Sequence, residues 1–81
     1  MRIDKFLKVS RLIKRRTVAH DACVGGRVLV GGRAAKPSHE VKLGDILEIH
    51  FGQSVLRVEI LDLAAHATKT DAGAMYREID A

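Results

Sequence analysis

Cysteine and proline each occur once in the 81 residues, and tryptophan does not occur at all. Cys23 alone cannot close an internal disulfide, which fits a reducing cytoplasm, and it cannot complete a structural zinc site. Phe6, Phe51 and Tyr76 are the only aromatic residues, too few to stack single-stranded bases on aromatic platforms. No apolar run exceeds three residues, as in Val28-Leu29-Val30, so no segment reads as a membrane-spanning helix. The opening Met1-Arg2-Ile3-Asp4-Lys5 is charged and lacks the apolar stretch of a signal peptide. His20, His39, His50 and His66 stand 19, 11 and 16 apart, which matches no metal-ligand spacing. Ser54 follows Gly52-Gln53, but Val55-Leu56 come next where a nucleophile elbow requires glycine. Gly26 and Gly31 have phosphate-loop spacing, yet Gly32 stands where that loop needs lysine. The residues therefore point to no enzyme, no metal and no cofactor. At this length the chain holds one domain, residues 1–81, with no room for a large enclosed active-site cavity. A hydrophobic content of 47% is ordinary for a globular chain.

What the chain does hold is charge, and it is unevenly placed. Residues 1–36 carry ten Lys/Arg against two acids, a balance of +8. Residues 37–81 carry four against eight, a balance of −4, which leaves the net charge of +4. Seven of the fourteen basic residues fall within positions 1–16, more than solubility asks for. A positive end of this kind attracts polyanions and speeds their arrival. Asp4, set among Arg2, Lys5 and Lys8, reads as an ion-paired structural carboxylate, not a general base.

Hydrophobic spacing divides the chain. Ile3, Phe6 and Leu7 recur at i, i+3, i+4 and predict a helix over about 2–9. Val18, Ala19, Ala22 and Cys23 predict the apolar face of a second helix over about 15–24, with Cys23 a small buried hydrophobe. Arg15 and Arg16 then fall in its first turn, the wrong end for cations by the helix dipole. A bound phosphate would satisfy both them and the free N–H groups. Gly25-Gly26 end that helix. From Arg27 the period becomes two, and Gly31-Gly32 predicts a tight hairpin returning through Arg33-Ala34-Ala35-Lys36 to Pro37. Alternation over Ile46–Phe51 and Val55–Ile60 predicts two more strands around Gly52-Gln53-Ser54. Met75 and Ile79 at i, i+4 suggest a short C-terminal helix over about 71–79. The class is α+β: two short N-terminal helices packed on a small antiparallel sheet.

These motifs have a family likeness. Arg2, Asp4 and Leu7, then Ser10-Arg11, then a hairpin with Gly26, Val28, Val30 and Gly32, then Pro37-Ser38 and Gly44-Asp45, follow one after another. Together they resemble the RNA-binding domain family named after ribosomal protein S-four, the alpha-L motif. The likeness covers about residues 1–51, with a C-terminal strand and helix over 54–81 added to it. Gly31 stands where many members carry Asn, and either residue suits the turn. Lys14-Arg15-Arg16-Thr17 replaces a common Ser-Arg-Ser cap. The run from Met1 to Thr17, Phe51-Gly52-Gln53 and Ala74-Met75-Tyr76 are most similar to small stand-alone bacterial members of that family.

The resemblance implies a cytoplasmic, monomeric factor of ribosome-associated quality control. It would bind ribosomal RNA of the large subunit and hold peptidyl-tRNA of a stalled chain. Meanwhile an RqcH-type tailing factor would recruit alanyl-tRNA for alanine tailing. The implied RNA-binding residues are first Arg2 and Arg16, then Lys5, Lys8, Arg11, Lys14 and Arg15. Arg27, Arg33 and Lys36 on the hairpin would reach a second RNA element such as the tRNA. Glu78 and Asp80 near the end differ from the basic extension of a heat-shock relative, whose recycling of stalled large subunits is the nearest alternative. An RNA-targeting appendage of a pseudouridine synthase, or an acidic-half protein adaptor, are more distant ones.

Overall fold

The computed structural model describes residues 1–63 and 73–79. Helix α1 spans Ile3–Val9 and helix α2 spans Arg16–Val24. The predicted stripe of α1 is real: Ile3, Phe6 and Leu7 are fully buried. On α2 the buried face consists of Ala19, Ala22 and Cys23, small side chains that let the helix lie close to its neighbours. Val18, expected on that face, is instead 49% exposed. The turns between the helices set α2 so that its buried stripe runs through 19, 22 and 23 and leaves 18 outside. Neither helix has a side-chain N-cap, and the first turn of α2 contains no acid.

Five antiparallel strands complete the fold: β1 (Val28–Val30), β2 (Arg33–Ala34), β3 (Ile46–Phe51), β4 (Ser54–Ile60) and β5 (Tyr76–Glu78). Their order across the sheet is β2-β1-β3-β4-β5. Gly31 and Gly32, at φ 58° and 84°, make the predicted two-residue hairpin, whose turn needs positive φ at both places. The register sets Val28 against Ile49 and Leu47 against Val58. These four, with Ile60, form one buried sheet face. It joins Ile3, Phe6, Leu7, Ile13 and the small residues of α2 in a single core. Alternate residues, Glu48, Arg57 and Glu59, stand on the other face.

The segment after β2 returns to the start of the chain. Ile3 N–H donates to His39 O at 2.7 Å, Val41 N–H to Met1 O at 3.0 Å and Asp4 N–H to Pro37 O at 3.3 Å. A strap of residues 37–41 thus clamps the residues that enter α1.

One expectation is corrected. In place of a C-terminal helix over 71–79, residues 73–75 turn and Tyr76–Glu78 pair with Ile60, Glu59 and Val58 of β4. Asp71 lies outside the described residues. Met75 is buried in the core and its carbonyl accepts the N–H of Leu61 at 2.8 Å. Arg77 pairs with Glu59 at 2.6 Å across the two strands. Two apolar residues four apart satisfy a helical period, but also the buried flanks of a three-residue strand.

Candidate nucleic-acid interface

The strap brings Arg2, the last extended residue before α1, into a bridge with Glu40. The α-ammonium of Met1 donates to Glu40 Oε2 at 2.8 Å and holds that carboxyl below the usual range. Two residues on, Asp4 turns inward. Its side chain is only 3% exposed, and Oδ1 accepts the N–H of Lys5 at 2.8 Å. An anion this deep needs cations. Arg2 Nη2 donates to Oδ2 at 3.1 Å, and Arg16 Nη2, from the first turn of α2, donates to Oδ1 at 3.4 Å.

One carboxylate therefore gathers two guanidiniums from two helices. The pairing does not consume them. Each arginine has five N–H donors and each uses one contact here. Their side chains stay 46% and 47% exposed, and two positive charges face one negative. Bonds this open to water add little to stability, about 0–1 kcal/mol each. What they fix is direction.

Beside the pair lies an open cleft of about 330 Å³, walled by Arg2, Asp4, Arg16, Thr17, His20 and Asp21. Thr17, His20 and Asp21 escape a reading of basic residues alone. The signal was present in their spacing, since 16, 17, 20 and 21 share one side of a helix. His20 Nδ1 lies 3.5 Å from Asp21 Oδ1.

The other expected residues fall in two groups. Lys8, in the last turn of α1, and Arg11, Lys14 and Arg15, in the connection to α2, are exposed; Lys5 is half-buried. Among the described residues, none of these five lies within ion-pair distance of a carboxylate. The second group follows α2. Arg27 lies against the end of that helix, where a Cβ on Gly25 would meet its Nε at 3.7 Å. A cation there suits the helix dipole. Arg33 is exposed on the edge strand β2. Lys36 is exposed immediately before the strap. The ion pairs join Arg2 to Arg16 and draw in neither Arg27, Arg33 nor Lys36.

Cys23 is buried behind this surface. Burial first, and the charge of Asp4 second, push its thiol up to about 11. A thiol so disfavoured as thiolate is no nucleophile at neutral pH. Among the described residues no group of His, Cys, Asp and Glu is arranged to hold a metal ion. No described helix is long and apolar enough to cross a membrane.

A family model described as the S4 domain matches residues 1–47. The chain is 51% identical over 76 residues to the RQC P-site tRNA stabilizing factor of Halalkalibacterium halodurans, covering 94% of this chain and 86% of that protein. It is 48% identical over 79 residues to the protein of the same name from Streptococcus pneumoniae, covering 98% and 90%. Among solved structures, the trimeric heat shock protein 15 of Vibrio cholerae superposes with a TM-score of 0.90 at 30% identity, covering 98% of this chain and 81% of that one.

Proposed function

This chain belongs to the S4 domain family, and we propose that it works as a tRNA-stabilising factor in ribosome-associated quality control. The observation that carries the reading is the Arg2–Asp4–Arg16 cluster, two outward cations fixed by one buried anion, in a chain about half identical to factors of that name. Double-helical RNA hides its base edges in a deep, narrow groove, so a small rigid protein reads phosphates and shape. Guanidinium forks match phosphate oxygens two at a time, and a fork already held in place loses less freedom on contact.

In this reading the whole chain acts as one RNA-binding domain whose core is residues 1–51. Arg2 and Arg16 contact ribosomal RNA of the large subunit. Lys5, Lys8, Arg11, Lys14 and Arg15 extend that surface. Arg27, Arg33 and Lys36 meet a second element, the peptidyl-tRNA. The protein performs no bond-making step; it holds the tRNA in the P site while an RqcH-type tailing factor extends the stalled chain. It acts as a monomer in the cytoplasm.

Affinity purification of the tagged protein tests this. Recovery of large-subunit RNA and tRNA, with the tailing factor and without small-subunit RNA, is the expected result. The likeness to heat shock protein 15 supports a second reading, general recycling of stalled large subunits. Equal recovery of empty subunits and of subunits bearing peptidyl-tRNA would favour it.

A further inference from the structure

The two helices end on one backbone device, but only one ends on the residue suited to it. After α2, Gly26 N–H donates to Cys23 O at 3.0 Å and Arg27 N–H to Ala22 O at 2.9 Å, with Gly26 at φ 74°. After α1, the corresponding place is held by Arg11. Its N–H donates to Lys8 O at 3.1 Å and its φ is 62°. Every other positive-φ position among the described residues is a glycine. A left-handed residue with a side chain crowds its Cβ against the following carbonyl, so glycine is the ordinary occupant.

The turn is held from beneath and does not need arginine. Ser10 is buried and its hydroxyl donates to Leu7 O at 3.3 Å. The N–H of Ile13 donates to the same carbonyl at 3.0 Å, and the Ile13 side chain is buried. The Arg11 side chain is exposed and, among the described residues, meets no carboxylate. The chain therefore carries a backbone cost for a side chain that its own fold leaves unused. Strain of that kind gathers where a ligand is held.

We propose that Arg11 is an RNA phosphate-binding residue, retained against backbone preference because the left-handed turn presents its guanidinium from a rigid point between α1 and α2. The inference rests on the RNA-binding reading above and adds to it a stated exchange of stability for contact. A fork on a fixed backbone has less freedom to lose than one on a mobile loop.

The test uses the full chain with Arg11→Gly and Arg11→Lys, and the Arg2→Ala/Arg16→Ala variant in parallel. Melting temperature is measured alongside binding to purified large ribosomal subunits carrying peptidyl-tRNA over a salt series. Arg11→Gly should raise the melting temperature by roughly 4 °C, the relief of strain less glycine's extra unfolded freedom. It should also weaken binding about tenfold and flatten the slope of log affinity against log salt by roughly 0.7–0.9, one phosphate's share. Arg11→Lys should keep the wild-type melting temperature and slope and lose affinity only. An Arg11→Gly protein that binds as wild type, or melts no higher, overturns the inference. If Arg2→Ala/Arg16→Ala weakens binding while Arg11→Gly does not, the RNA-binding reading stands and this inference alone falls. A wild-type protein that does not bind the subunits overturns both.

Discussion

Asp4 decides the behaviour of the residues around it. It is a buried anion whose partners are two half-exposed cations, so its removal should be felt twice. Asp4→Asn keeps the shape but weakens three hydrogen bonds, and stability should fall by about 1–3 kcal/mol in chemical denaturation. The same change makes the chain more positive. If bulk charge governed binding, RNA affinity would rise; because Asp4 aims two guanidiniums, affinity should drop. Arg2→Ala and Arg16→Ala should each weaken subunit binding about tenfold, ~1.4 kcal/mol, in co-sedimentation. Their melting temperatures should hardly move, since both side chains are half in water. Cys23 gives a pH signature. Its thiol is raised from 9.0 to about 11, so native and unfolded chains are both protonated below pH 9. Between about 9 and 11 the unfolded thiol ionises first, and the stability it contributes is lost as pH rises through that window. Over pH 8–11, a Cys23→Ala chain should lose less stability than wild type. Parallel losses would place the thiol in water.

At the scale of elements, α1 is both a core helix and the mount for the cationic pair. Leu7 is fully buried between α2 and the sheet, and Leu7→Ala should cost about 2–5 kcal/mol in denaturant unfolding. A change below 1 kcal/mol would mean that α1 faces another way. Much of this element was legible in residue order. Ile3, Phe6 and Leu7 defined its inner face, and the pair Gly31-Gly32 defined the hairpin. Val18 was misplaced because periodicity over nine residues tolerates one neighbouring stripe, and packing against α1 chose the other. The C-terminal strand was hidden because three residues with exposed Arg77 and Glu78 show no alternation of their own; β4 supplies the pattern by pairing. The strap of residues 37–41 left no trace in composition, since its bonds to Met1, Ile3 and Asp4 are made by backbone atoms. Of the site, the cations were readable one by one. Their convergence on Asp4 was not, because a contact across twelve residues depends on how two helices pack.

For the whole molecule, the division of charge into +8 and −4 halves becomes a division of labour. The basic half contains both helices and the first hairpin; the acidic half contributes much of the sheet that supports them. Association with RNA should then be strongly salt-dependent. If about five phosphates are neutralised, the slope of log affinity against log salt should be roughly −3.5 to −4.5. The most direct measurement is that slope for large ribosomal subunits carrying peptidyl-tRNA, taken for wild type and for the Arg2→Ala/Arg16→Ala chain. The arrangement around Asp4 predicts a loss of roughly 1.4–1.8 from the slope, two phosphates' worth, with the fold intact. A folded double variant whose affinity and slope match those of wild type would contradict it.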